Sequence, residues 1–186
     1  MKRVLTVAVV LLLCLSIALP LGANAAIFNS PKADPLMVVE ANIEGAEDPV
    51  TGCVIVTTVE EAKNENPDIT EEEKAELIAA YEALCDGSEK LPIEGEHAIR
   101  EVVDISFKYE GCRLIPEHGK KDEALKAEGV TLTVKLNLGV EAGANIAAFT
   151  RIDGEWAPVV ETVNNGDGTV TCVFEDLCPV AFAVLG

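Results

Sequence analysis

The chain has 186 residues, a formal charge of −18 and a sequence pI near 4.3. This length suits a single domain, and the strongly negative field argues against nucleic acid and anionic membranes as partners. Aromatic residues make up only 4 % of the chain, which is few for a protein that would stack sugars on aromatic rings.

The first 25 residues have the pattern of a secretory signal peptide. A basic start, Met1 to Arg3, precedes the apolar run 4–19, and Ala23-Asn24-Ala25 offers a cleavage site. A membrane anchor is the alternative, but the run is short for a full span. Cys14 is not expected to be lipidated, because Leu13 precedes it and the apolar run continues beyond it. We expect a secreted protein, cleaved after about Ala25, that has no membrane partner after cleavage.

Cleavage at that site would leave 161 residues with a formal charge of −20, since Lys2 and Arg3 are removed. Five cysteines would remain: Cys53, Cys85, Cys112, Cys172 and Cys178. Export permits disulfides, and an odd number means that at least one thiol is free or is paired between chains. The sequence leaves the pairing open, including whether any bridge forms. The spacing of the Cys and His residues matches no zinc site, and we expect no metal and no cofactor.

The first predicted elements follow an extended leader at residues 26–35. Leu36–Ile43 and Cys53–Thr57 are predicted strands, separated by an acidic loop with Gly and Pro. A helical insertion at 59–86 follows. We therefore expect one β-sandwich domain, residues 36–186, that contains this insertion.

Two capping-box spacings mark the helical insertion. Thr58-Val-Glu-Glu61 opens a short helical turn, and Thr70-Glu-Glu-Glu73 opens a longer helix over 71–85. The longer helix is amphipathic, and its apolar stripe comprises Leu77, Ile78, Tyr81, Leu84 and Cys85. We expect this stripe to cover an edge or an open end of the sheets. A partner-binding helix is the alternative.

The middle of the chain returns to the period-2 pattern of strands. Residues 101–109 and 145–152 are predicted strands on either side of the clearest one, 130–137. There Val130, Leu132, Val134 and Leu136 alternate with polar residues. Pro116–Glu128 is predicted to be a charged loop.

The last 31 residues predict three more short strands, 156–163, 170–175 and 177–185. The Asn-Gly and Asp-Gly pairs within 164–168 predict a hairpin, and Asp153-Gly154 predicts another. Cys172, Phe174 and Phe182 are expected in the core. Together the patterns predict a mainly β fold, a two-sheet antiparallel β-sandwich of about eight strands with one packed helix.

An ordered series of motifs in the second half of the chain resembles a known kind of module. The series is Val103-Asp-Ile-Ser-Phe, Glu110-Gly111, Pro116, Val130-Thr-Leu-Thr-Val-Lys-Leu, Ile152-Asp-Gly-Glu-Trp156, Gly168-Thr-Val-Thr and Leu177-Cys-Pro-Val-Ala-Phe182. It is similar to the β-sandwich accessory modules near the C-terminus of secreted and cell-surface proteins of Gram-positive gut bacteria. The resemblance covers about residues 101–185 and departs from the pattern at Cys178 and Val180. It implies a β-sandwich accessory module and no catalytic chemistry.

The sequence contains no recognisable nucleophile–base set. Ser30, Ser88 and Ser106 lie outside any G-x-S-x-G motif, and neither His97 nor His118 begins H-E-x-x-H. The two histidines are expected on surface loops. No catalytic residue is predicted, and the chain is not expected to be an enzyme.

Three features keep other functions open. The many carboxylates allow a secreted hydrolase such as a glycosidase, which needs two of them beside a sugar-binding aromatic. Trp156 is a possible ligand contact, although a position in a core or between the sheets is the preferred interpretation. Asn164–Gly168 resembles half of a calcium loop, although the hairpin accounts for every residue. The odd cysteine would also suit thiol exchange.

We therefore expect a secreted, acidic, non-catalytic binding or structural accessory module at the bacterial cell surface. Its ligand would be a protein or a glycan. The sequence does not identify that ligand.

Overall fold

The computed structural model describes residues 36–45, 47–64, 69–107 and 129–186. These residues form a mainly β fold of two antiparallel sheets, as the sequence predicts. The strands are β1 (Met37–Ile43), β2 (Val54–Thr58), β3 (His97–Phe107), β4 (Leu132–Asn137), β5 (Ile146–Ile152), β6 (Glu155–Pro158), β7 (Glu161–Asn164), β8 (Thr169–Phe174) and β9 (Pro179–Leu185). The helices are α1 (Val59–Lys63) and α2 (Glu71–Asp86), and a 3-10 turn covers Thr51–Cys53. The four-stranded sheet has the order β1-β4-β8-β7, and the five-stranded sheet has the order β2-β3-β9-β5-β6.

The main core lies between the two sheets. Alternate residues of β4 and β8 point into it, so that Leu132 pairs with Phe174 and Val134 pairs with Cys172. Phe182 of β9 enters the same core from the opposite sheet. Cys172, Phe174 and Phe182 are all fully buried, which confirms the predicted sandwich core.

A second core lies on the other side of the five-stranded sheet. Leu77, Ala80 and Leu84 of α2, spaced i, i+3 and i+7, are buried there against Ala181 and Ala183 of β9. The small alanines leave room for the helix, whereas the neighbouring residues of β9 fill the main core. Ile78 and Tyr81 flank this contact and are partly buried.

The position of α2 corrects one expectation. The helix covers a face of the five-stranded sheet rather than an edge or open end of the sandwich. Its stripe is also centred on Ala80, which the pattern of large apolar residues did not include. A sheet face offers a helix more apolar area than an edge does, because side chains from several adjacent strands converge on it.

Both predicted capping boxes are present. The Thr58 and Thr70 side chains accept hydrogen bonds from the backbone N–H groups of Glu61 and Glu73, and those glutamates bond back to the threonine N–H groups. α2 ends at Gly87, whose φ of 75° is left-handed and suits a residue without Cβ. These local contacts fix the ends of both helices before any packing is considered.

The predicted strand 156–163 is divided between the two sheets. β6 pairs with β5 in the five-stranded sheet, and β7 pairs with β8 in the four-stranded sheet. The chain changes sheets between Val159 and Val160. The Val159 N–H still donates to the Ala148 carbonyl of β5, whereas the Val160 N–H donates to the Val173 carbonyl of β8. Both predicted hairpins, β5–β6 at Asp153-Gly154 and β7–β8 at 165–168, are confirmed. The division raises the number of strands from the expected eight to nine.

β3 begins four residues earlier than the predicted strand. The register shifts between Ile99 and Glu101, so an extra residue at Arg100 breaks the period-2 pattern. Arg100 is buried, and its guanidinium donates to the Leu138 carbonyl through Nε at 3.1 Å and Nη2 at 2.7 Å. Burial lowers the pKa of Arg100, and this contact ties the five-stranded sheet to the loop after β4.

Cys53 is disulfide-bonded. At least one bridge therefore forms, which the sequence left open, whereas Cys85, Cys172 and Cys178 carry thiols. Burial raises the pKa of Cys172 to about 12, so this thiol stays protonated and unreactive at neutral pH.

Several expectations concern residues outside the described ranges. They are the signal peptide 1–25, the leader 26–35, the charged loop 116–128, Cys112, His118 and Ser30. Among the helices that the structure describes, none has the length and apolar character needed to cross a membrane.

Candidate functional site

The two outer faces of the sandwich differ. The outer face of the five-stranded sheet is covered by α1 and α2, whereas no described helix or strand packs on the outer face of the four-stranded sheet. We call the latter the open face. It consists of Met37, Glu40, Asn42, Thr133, Lys135, Asn137, Glu161, Val163, Thr169, Thr171 and Val173.

Strand pairing arranges the open face in three rows. The register places Glu40, Lys135, Thr171 and Val163 side by side in the middle row. Asn42, Thr133, Val173 and Glu161 form the row on one side of it, and Met37, Asn137 and Thr169 form the row on the other side. The face is therefore a surface of hydroxyl and amide groups around one central lysine, with acidic and aliphatic groups on its two edge strands.

The β7–β8 turn fixes one end of the open face. Asn165 donates through Nδ2 to the hydroxyls of Thr169 and Thr171, at 2.9 and 3.0 Å. Asp167 accepts hydrogen bonds from the hydroxyl and the N–H of Thr169 and pairs with Lys135 at 3.3 Å. The Thr169 hydrogen bonds and the Lys135 ammonium lower the pKa of Asp167 to about 2, so this carboxylate is ionised at any physiological pH.

These turn contacts also bear on the calcium interpretation of 164–168. The Asn164 side chain donates to the carbonyls of Glu141 and Ala144, both at 2.9 Å, and its Oδ1 accepts from the Gly166 N–H. Each polar side chain in the turn thus has a role in shaping the hairpin. Within the described residues, no group of three or more His, Cys, Asp or Glu side chains is placed to hold a metal ion.

All four large hydrophobic residues that are exposed in the described ranges lie in or beside the edge strands of the four-stranded sheet. Met37 and Val39 are 53 % and 46 % exposed at β1, and Val160 and Val163 are 57 % and 40 % exposed at β7. Exposed aliphatic residues on edge strands mark surfaces that can associate with another chain.

Trp156 lies on the opposite side of the molecule, in the second core. It is 8 % exposed, and its indole N–H donates to a Glu89 carboxylate oxygen at 2.8 Å. A sugar platform requires an open ring face, so the position of Trp156 supports the core interpretation and not a ligand contact. Of the two positions that the sequence left open, core or between the sheets, the structure shows a core position between the five-stranded sheet and the helices.

Glu89 is the centre of a half-buried polar cluster. It accepts a bidentate pair of hydrogen bonds from Arg151, through Nε at 3.0 Å and Nη2 at 2.7 Å. The hydrogen bonds and charge of Arg151, with the Trp156 N–H, lower the pKa of Glu89 although burial opposes them. The cluster attaches the segment after α2 to the β5–β6 hairpin, which is a structural role.

The described serines and the described histidine make hydrogen bonds or contacts within the fold. Ser106 is buried and donates to the carboxylate of Asp104, two residues away on β3. Ser88 donates to the carbonyl of Ala83 and thereby caps the end of α2. His97 begins β3 rather than lying in a loop, and its Nδ1 is 3.3 Å from the Gly95 carbonyl oxygen.

No family model matches the chain, and comparisons with curated proteins and with solved structures also give no match. The resemblance to bacterial accessory modules therefore stays a prediction. The open face is not among the sites that the sequence predicts. The polar residues Thr133, Lys135 and Thr171 alternate with buried residues in β4 and β8. This alternation identifies the residues of the core, but it does not distinguish a binding face from an ordinary exposed one.

Proposed function

We propose that the chain is an exported, non-catalytic binding module that contacts its ligand through the open face. The observation that carries this proposal is the difference between the two outer faces. One sheet is covered by helices and a second apolar core, and the other presents ordered polar groups to the surroundings. A covered face contributes to stability, whereas an uncovered and ordered face is available for recognition.

The chemistry of the open face favours a protein ligand over a glycan. The face offers threonine hydroxyls, asparagine amides, one lysine and aliphatic side chains at its edges. Glycan sites in proteins commonly combine polar groups with a stacking aromatic ring. The one tryptophan of this chain is buried on the other side of the molecule. Export is part of the proposal because residues 1–25 have the pattern of a signal peptide.

Site-specific photo-crosslinking tests the proposal. A photoreactive amino acid replaces Thr171 at the centre of the open face, and in a control it replaces Ala79, which is exposed on α2. We expect crosslinks to a cell-surface protein from position 171 and none from position 79. Equal crosslinking from both positions, or from position 79 alone, would place the binding surface elsewhere and refute the proposal.

A turnover assay separates this proposal from the hydrolase alternative. The protein is incubated with cell-wall polysaccharide and with host glycans, and the released reducing ends are measured. No release of reducing ends is expected of a non-catalytic module, whether or not it binds these glycans. Release that survives further purification would favour the hydrolase.

A further inference from the structure

The strand β7 leaves one edge of the four-stranded sheet unpaired. β7 pairs with β8 on one side, and no described strand is hydrogen-bonded to its other side, although β5 of the five-stranded sheet lies close to it. The N–H of Asn165 donates to the Thr169 carbonyl at 3.0 Å, which sets the phase of the ladder. Hydrogen-bonded pairs alternate along an antiparallel ladder, so Val163 and Glu161 also bond to β8. The N–H and C=O groups of Thr162 and Asn164 then point away from β8.

The opposite edge of the same sheet is protected. β1 contains a bulge between Val38 and Glu40, which interrupts a regular ladder. Farther along, the Ala41 N–H donates to the Thr51 hydroxyl and its carbonyl accepts from the Val50 N–H. These contacts occupy the outward N–H and C=O groups of Ala41. Of the two edge strands of this sheet, β7 is therefore the one whose outward backbone groups are better placed to pair with an added strand.

The side chains of β7 define what an added strand would meet. Glu161 and Val163 lie two residues apart on the open face, and both are exposed. An added strand would therefore place one side chain beside Val163 and another, two residues away, beside Glu161. An aliphatic residue suits the first position, and a basic residue suits the second.

The charge around β7 disfavours an acidic occupant, including a second copy of this chain. Residues 152–186 contain six acidic residues and no Lys or Arg, and Glu175 is exposed at the end of the neighbouring strand. A second copy of this chain would bring the same negative edge and a total charge of −18. A basic segment of another protein is attracted by the same field.

We propose that β7 accepts an extended basic segment of a partner protein, which joins the four-stranded sheet as an additional strand. The proposal rests on the proposed function, because it names the partner class for the same sheet. Main-chain hydrogen bonds to Thr162 and Asn164 would hold the segment, and a basic residue two positions from an aliphatic one would give specificity.

The test uses two synthetic peptides and the folded protein labelled with ¹⁵N. The probe peptide has the sequence Thr-Lys-Thr-Val-Thr, and the matched control peptide has Glu in place of Lys. We expect the probe to shift the amide signals of Thr162 and Asn164 most strongly, with a Kd on the order of 0.1–1 mM. Raising the ionic strength from about 0.02 to about 0.2 M should weaken this binding severalfold. The Glu peptide should bind at least about tenfold more weakly, because its carboxylate would lie beside the like charge of Glu161.

Two variants with the same change of net charge locate the site. Glu161→Lys should weaken binding of the probe about tenfold, and Glu155→Lys on β6 of the other sheet should change it by less than about twofold. Equal effects of the two variants would mean diffuse charge attraction and would overturn the proposal. A probe methylated at its backbone nitrogens should lose binding, and retained binding would also overturn it.

The outcomes separate this proposal from the proposed function. If the probe shifts Thr133 and Lys135 but not Thr162 and Asn164, the open face binds and the edge does not, so only the edge proposal fails. If crosslinking from position 171 fails while the probe still binds at β7, the edge proposal survives and the proposed use of the open face fails. A dimer of the protein that forms through β7, detected by sedimentation together with loss of probe binding, would also refute the edge proposal.

Discussion

The helix-covered face and the open face are built from the same kind of strand, yet their residues have different tasks. On the covered face, β9 presents alanines that admit Leu77 and Leu84 of α2. On the open face, β4 and β8 present threonines and a lysine. Burial makes the first face depend on close packing, whereas the second face is shaped mainly by its strand register. Substitutions on the covered face should therefore reduce stability more than ligand binding, and substitutions on the open face should reduce ligand binding more than stability.

Leu77→Ala should cause the largest loss of stability. Leu77 is fully buried between α2 and the five-stranded sheet, so its truncation leaves a cavity in the second core. We expect the free energy of unfolding to fall by about 2–4 kcal/mol, measured by denaturant titration. Val163→Ala on the open face is the control and should cost less than about 1 kcal/mol. A loss below that level for Leu77→Ala would mean that the helix contributes little to the fold.

Glu89→Gln should have an intermediate effect that depends on pH. The pKa of Glu89 is lowered in the folded state, chiefly by hydrogen bonds from Arg151, so its stabilising effect is present above the unfolded pKa near 4.3. That effect disappears as pH falls through the lower, folded pKa. At pH 7 the variant should lose about 1–2 kcal/mol, measured by thermal or denaturant unfolding.

Below about pH 4 the difference between wild type and the Glu89→Gln variant should shrink, because the carboxylate becomes protonated in the wild type. Tryptophan fluorescence provides a second readout, since Glu89 accepts the Trp156 N–H. Asp167→Asn, in the exposed turn beside the open face, is the comparison variant with a smaller expected effect. If the difference in unfolding free energy between wild type and Glu89→Gln is constant from pH 7 to pH 3, the ionised Glu89 carboxylate does not stabilise the fold in the way inferred here.

Thr171→Val should have the smallest effect on stability. The change keeps the β-branched shape that suits a strand. It removes one hydroxyl from the centre of the open face, together with the exposed hydrogen bond that this hydroxyl accepts from Asn165. We expect less than about 0.5 kcal/mol in the free energy of unfolding. Binding of the crosslinked partner should weaken severalfold in the same variant. If stability falls while partner binding is unchanged, the open face would be a structural surface like the covered one.

Local sequence patterns predicted the elements that depend on near neighbours. The two capping boxes, the hairpins at Asp153-Gly154 and 165–168, and the alternation in β4 and β8 all follow from hydrogen bonds or side-chain directions within a few residues. These contacts are the same whichever sheet a strand joins. The sequence by itself therefore determined a mainly β fold with one principal helix and a buried Cys172, Phe174 and Phe182.

The tertiary structure decided how those elements are shared between the layers. Period 2 states that a strand has two faces but not which face meets the other sheet, a helix or the surroundings. That choice placed Trp156 with the helices, divided 156–163 between two sheets and left Thr133, Lys135 and Thr171 uncovered. Each outcome depends on contacts between residues that are far apart in the chain, which no local pattern encodes.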